Sequence, residues 1–158
     1  MKIMICLTSI LMFYSQANAS KLLGVGLGFN RGVLNLGVTI DSDSTTGSVG
    51  GHLFVQSAKT SVGIGQVTSL AAHIKINIVD QHKFSAELNP GFGLHMIDTG
   101  GAGSSVKNTV GPTIRMRFAY KISSRSSLGL DRLEIWNWFD EAATNSATYT
   151  GAVFVTEF

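Results

Sequence analysis

Phe84-Ser85-Ala86-Glu87-Leu88-Asn89-Pro90-Gly91-Phe92-Gly93-Leu94-His95-Met96-Ile97 carries apolar side chains or proline at the even positions up to Met96 and polar or small ones at the odd positions up to His95. Residues 110–122 repeat the pattern, with Val110, Pro112, Ile114, Met116, Phe118, Tyr120 and Ile122 set against Gly111, Thr113, Arg115, Arg117 and Lys121. Successive side chains of a strand point to opposite faces, so a period of two sustained over this length predicts two β-strands with unlike environments on their sides. The glycine-rich stretch 98–106 between them predicts a hairpin loop.

The same period extends through most of the chain. Leu23, Val25, Leu27 and Phe29 alternate with glycines, and after Asn30-Arg31-Gly32 the apolar parity reverses at Leu34, Leu36, Val38 and Ile40. Residues 41–46 predict a polar loop. Val49, Gly51, Leu53 and Val55 then oppose Ser48, Gly50, His52, Phe54 and Gln56, and residues 62–79 read as a hairpin or one long strand with a polar interval at 66–69. Polar turns are expected at 80–82 and 123–125. Leu128 and Leu130 open a further strand whose parity would place Arg132 and Glu134 on the apolar face, so a bulge at Asp131-Arg132 is expected to restore Leu133 and Ile135 to it. A loop at 140–147 leads to the last strand, with Ala152, Phe154, Thr156 and Phe158 on one face. Counting every break as a reversal gives nine strands. Bacterial single-chain barrels have an even number, so one of the breaks near Arg31 and Ser69 is expected to be a bend.

The beginning of the chain narrows the location. Met1-Lys2, an apolar run at 3–14 and Ala17-Asn18-Ala19 before Ser20 form the layout of a secretory signal peptide, cleaved after Ala19, with residues 20–158 as a single domain. The only cysteine, Cys6, lies inside that leader, so disulfides, thiolate catalysis and Cys-based metal sites are excluded from the remainder. Without Lys2 the charges stand at 11 basic against 10 acidic, which gives a nucleic-acid partner no electrostatic support. A secreted sandwich would expose charges over most strands. Here the second face is mostly Gly, Ser, Asn and Thr, which suits the narrow lumen of a closed barrel, and short turns alternate with longer loops. The expected fold is all-β, an eight-stranded antiparallel transmembrane β-barrel of a Gram-negative-type outer membrane.

Charges on the inner face must then be paired. A tight turn at 80–82 sets Lys75 opposite Glu87, a loop centred near 102 sets Glu87 opposite Arg117, and the turn at 123–125 sets Arg117 opposite Asp131. The expected product is a structural ladder of alternating sign, Lys75, Glu87, Arg117 and Asp131, which Arg115 and, after the bulge, Arg132 and Glu134 can join. Tyr120, Trp136, Trp138 and Phe158 are expected as interfacial aromatics. His52, His73 and His95 fall on the inner parity and His82 in a turn, with no metal-ligand spacing. A catalytic reading would pair His95 with Ser104 or Ser105 and Glu141.

Val62-Gly63-Ile64-Gly65, the stretch around Asn89-Pro90-Gly91-Phe92-Gly93, and Ser126-Ser127-Leu128-Gly129-Leu130, followed by a polar loop and a final strand, resemble the small outer-membrane lipid A deacylases, the acyloxyacyl hydrolase barrels. The resemblance covers residues 61–158 and implies eight strands, with a His-x-Ser pair on the penultimate strand and a Glu in the following segment of active members. Residues 128–138 here hold neither a histidine nor a serine, so no catalytic residue carries over. The expected role is therefore structural or surface-interacting and non-catalytic. A divergent lipid A acyl-ester hydrolase and a barrel that binds or passes a small molecule are the alternatives. No cofactor or metal is expected. The expected partners are outer-membrane lipids, lipopolysaccharide and the barrel-assembly machinery, which would read the C-terminal strand.

Overall fold

The structure is a computed structural model that describes residues 20–30, 33–43, 48–60, 63–98, 106–136 and 147–158. The signal peptide expected at residues 1–19 lies outside the described residues. Eight strands follow one another in chain order: β1 (Ser20–Asn30), β2 (Val33–Asp43), β3 (Ser48–Thr60), β4 (Gly63–Asp80), β5 (Phe84–Asp98), β6 (Val106–Lys121), β7 (Ser126–Ile135) and β8 (Ala147–Glu157). Each pairs antiparallel with its neighbours, and β8 returns to β1 to close the barrel. Closure pairs both edges of every strand, which is what allows a sheet to exist where no water can satisfy backbone groups.

The barrel is inverted relative to a water-soluble protein. Large apolar side chains face outward on all eight strands, among them Leu27, Leu36, Leu53, Ile74, Phe92, Phe118, Leu130 and Phe154. Among the described residues, 18 polar or charged side chains are buried against 9 hydrophobic ones. An apolar exterior around a polar interior is stable only where the surroundings are themselves apolar.

Both ambiguous breaks are resolved by pairing. Asn30 pairs with Val33, so the chain reverses between β1 and β2, whereas β4 runs uninterrupted for 18 residues through the polar interval at 66–69. Three local expectations are corrected. Asp41, Ser42 and Asp43 belong to β2 rather than to a loop, because they pair with Leu22, Lys21 and Ser20. No bulge occurs at Asp131-Arg132: β7 keeps an unbroken register with both neighbours. Leu133 and Ile135 therefore point inward and are buried, while Arg132 and Glu134 face outward and pair with each other. The observed irregularity lies in β4, between Asn77 and Val79, where the register with β5 shifts.

The start of β1, the end of β8 and the turns at 81–83 and 122–125 lie at one end of the barrel, here the turn end. At the opposite end, the loops expected at 98–106 and 140–147 fall largely on residues 99–105 and 137–146, outside the described residues.

Candidate functional site in the barrel lumen

The inner positions of β2, β4, β5, β6 and β7 converge in the half of the lumen nearer the turn end. Asp41 is its centre. One carboxylate oxygen lies 2.6 Å from His73 Nε2, the other accepts from Arg115 Nη2 at 3.0 Å, and Arg117 Nη1 approaches at 3.3 Å. Arg117 donates from Nε and Nη2 to the two oxygens of Asp131 at 2.7 and 2.8 Å, a fork-on-carboxylate pair. Its Nη2 also reaches the Thr39 hydroxyl at 3.0 Å. Asn89, with its amide oxygen turned to the guanidinium, accepts from Arg115 Nε and Nη2 at 3.2 and 3.3 Å. Lys75 bridges Asp43 at 2.9 Å and Glu87 at 3.5 Å, and Glu87 lies 4.0 Å from Arg117.

The expected ladder residues therefore meet in one cluster, with a changed register. Glu87 stands opposite Arg117 and Arg117 opposite Asp131. Lys75 is not opposite Glu87: the turn falls at 81–83 rather than 80–82, which centres the hairpin later and leaves Asn77 opposite Glu87 beyond the shift in β4; the long lysine chain spans the offset instead. Arg115 joins through Asp41. That aspartate, the most connected acid of the cluster, is absent from the expected ladder because its flanking run Asp41-Ser42-Asp43-Ser44-Thr45-Thr46 has the composition of a loop. The missed signal is parity: Asn35, Gly37 and Thr39 are inner positions of β2, and continuing by two reaches Asp41.

Toward the opposite end the filling changes character. Phe54, Val67, Leu133, Ile135 and Tyr149 form a buried apolar plug, with Ile97 against it. The Phe54 and Tyr149 rings meet edge to face, with centroids 4.6 Å apart. Space for them comes from glycine: a Cβ on Gly37 would collide with the Phe54 ring, and one on Gly28 or Gly151 with Tyr149. Between plug and cluster, His52 contacts His73 through their Nδ1 atoms at 3.3 Å and Phe54 edge to face.

His95 makes a different serine contact from the expected one. Its Nδ1 is 2.9 Å from the Ser69 hydroxyl and its Nε2 is 3.3 Å from the Gly111 carbonyl. A carbonyl only accepts, so the proton sits on Nε2 and Ser69 donates to Nδ1. Both side chains are fully buried. Ser104, Ser105 and Glu141 lie outside the described residues. Among the described residues, no group of three metal-ligating side chains forms a metal site.

A cavity of about 220 Å³ opens at the turn end, floored by Lys75, Glu87 and Arg117 and rimmed by Lys121, Arg125 and Ser126. Of the expected interfacial aromatics, Tyr120 is exposed and packs edge to face with Phe84, and Phe158 is exposed, both near the turn end. Trp136 lies past the far end of β7, its backbone N–H donating to the Pro112 carbonyl, and Trp138 falls outside the described residues.

Solved structures share this architecture. The N-terminal β-barrel domain of Pseudomonas aeruginosa OprF matches 89% of this chain and 98% of its own at 13% identity, with a TM-score of 0.60. The fold is that of the small outer-membrane barrels. Neisserial surface protein A matches 89% of this chain and 96% of its own at 11% identity and TM-score 0.60. Yersinia pestis Ail, determined in a phospholipid bilayer nanodisc, matches 89% and 100% at 9% identity and TM-score 0.58. No protein-family model and no curated protein sequence matches the chain. The eight strands implied by the resemblance to the lipid A deacylases are the eight observed.

Proposed function

We propose that this chain is exported by cleavage after Ala19, inserted into a bacterial outer membrane through its C-terminal strand, and acts there as a non-catalytic structural or surface-interacting barrel. The observation that carries the reading is the combination of outward apolar side chains on all eight strands with a lumen whose buried charges are matched. Asp41, Glu87 and Asp131 oppose Lys75, Arg115 and Arg117, three of each sign. Charges satisfied by one another hold a shape and are poorly placed to do chemistry. The one described Ser-His pair supports the same reading, since both members are buried and the second imidazole nitrogen faces a carbonyl rather than a carboxylate. The ladder has a structural role in this account, and Tyr120, Trp136, Trp138 and Phe158 anchor the barrel at the two interfaces.

Incubating the purified chain with lipopolysaccharide and weighing the lipid A by mass spectrometry tests the absence of catalysis. The expected spectrum is unchanged, and loss of an acyl chain would establish a hydrolase. Planar-bilayer recordings test the closed lumen, with no steady conductance expected; a stable open level would establish a pore.

A further inference from the structure

The cavity at the turn end measures about 220 Å³, against ~15 Å³ for a single water, so it admits a small organic molecule. Three of the four basic residues lining it are already engaged. Lys75 holds Asp43 at 2.9 Å, Lys121 holds Asp80 at 2.6 Å, and Arg117 is forked onto Asp131, which lies outside the cavity. Glu87 in the floor receives only their remainder, Lys75 at 3.5 Å and Arg117 at 4.0 Å. Its side chain is 9% exposed, and its Oε2 accepts no hydrogen bond among the described residues. A buried carboxylate oxygen without a donor leaves the cost of its desolvation uncompensated.

The fourth base is Arg125, in the turn at the rim. Among the described residues no carboxylate forms an ion pair with its guanidinium, Glu157 on the same rim included. Glu87 stands opposite Arg117 within the β5–β6 ladder, whereas Arg125 lies beyond the end of β6, so the two under-paired charges of opposite sign sit at the two ends of the cavity. Leu22 and Val155 add an apolar strip to its wall. We infer that the cavity binds a small zwitterion whose ammonium and carboxylate stand at opposite ends of an aliphatic stem, the chemistry of an ω-amino acid. The ammonium donates to Glu87, whose terminal torsion is soft enough to turn Oε2 to the ligand. The stem lies along Leu22 and Val155, and the carboxylate accepts from the fork of Arg125. A simple amine would leave Arg125 unpaired, and a simple carboxylate would leave Glu87 so. The site does not depend on the outer-membrane reading, which decides only that the cavity opens toward the periplasm.

The test titrates the refolded full chain in detergent, its folded state checked by heat-modifiable gel mobility, with 5-aminopentanoate, pentylamine and pentanoate, binding being read by saturation-transfer NMR. Wild type is expected to bind 5-aminopentanoate best and pentylamine about tenfold more weakly, the loss of one charge-assisted contact, and to show no saturation with pentanoate. Glu87→Gln is expected to weaken 5-aminopentanoate and pentylamine alike by about tenfold. Arg125→Gln is expected to lower 5-aminopentanoate to the level of pentylamine and to leave pentylamine unchanged. Absence of saturable binding by 5-aminopentanoate overturns the proposal, as does wild-type affinity in folded Glu87→Gln. Equal binding of pentanoate and 5-aminopentanoate overturns the role of Glu87, and equal binding of pentylamine overturns that of Arg125. If Glu87→Gln does not fold, Leu22→Trp tests the same cavity by filling it: loss of binding is expected, and retained binding overturns the proposal. A chain that binds in detergent but never reaches the outer membrane of a producing bacterium removes the outer-membrane reading and leaves the site.

Discussion

The two halves of the lumen solve one problem in opposite ways. Near the turn end the wall is held by buried charge, with Asp41, Arg115, Arg117 and Asp131 almost inaccessible to solvent and joined by ion pairs of 2.7 to 3.3 Å. Toward the far end it is held by Phe54, Leu133, Ile135 and Tyr149, packed as an ordinary hydrophobic core would be. Charges fill space only in matched sets and fail badly when one is removed, because the partner stays buried without compensation. Apolar side chains lose contacts in proportion to the volume deleted. The charged half is thus the more sensitive to chemistry, and the apolar half to shape.

The contrast can be broken most forcefully at Asp41. Asp41→Ala leaves Arg115 without a carboxylate, facing the Asn89 amide and the His73 imidazole, and removes one anion from Arg117, so a loss of about 3–5 kcal/mol is expected in urea unfolding of the refolded barrel. A loss below about 1 kcal/mol would show that water replaces the carboxylate at little cost. In the apolar half, Phe54→Ala is expected to cost about 3 kcal/mol and to admit ions in planar bilayers, since the plug closes the lumen beyond the cavity at the turn end. Unaltered conductance would mean that the remaining side chains collapse over the gap. Glu87→Gln is expected to lower stability by about 1 kcal/mol, because its contacts at 3.5 and 4.0 Å are looser than those of Asp41. An unchanged unfolding midpoint would exclude Glu87 from the cluster's energetics. The smallest stability effect belongs outside the lumen. Arg132→Gln breaks a partly exposed pair and should shift stability by less than about 1 kcal/mol.

The same contrast separates what can be read along the chain from what cannot. Which side of β5 and β6 faces inward follows from alternation, because the pleat fixes side-chain direction residue by residue. Glu87 against Arg117 and Arg117 against Asp131 are equally readable, since each pair spans one hairpin whose centre is visible in the sequence. The Lys75 register was less so, because the polar run Asp80-Gln81-His82-Lys83 does not fix the turn's centre, which lies at 81–83, and the irregularity between Asn77 and Val79 adds a further step that composition does not show. β7 shows a different difficulty. Leu133 and Ile135 look like lipid-facing residues beside Leu128 and Leu130, yet the inner volume next to Gly37, Gly28 and Gly151 has to be filled, and they help to fill it.

By itself the sequence determined an all-β chain of alternating strands with small and polar side chains on one face, together with the pairing of Glu87 with Arg117 and of Arg117 with Asp131, because these depend on local period and hairpin symmetry. Only the tertiary structure decided that Asp41 meets Arg115 and Arg117, 74 and 76 residues away. It also decided that the far half of the lumen is apolar and that Arg132 and Glu134 face outward. The physical reason is closure. Once β8 pairs with β1, side chains from strands that never hydrogen-bond to one another share a single narrow interior, and what fits there is set by the volume and charge of all of them together.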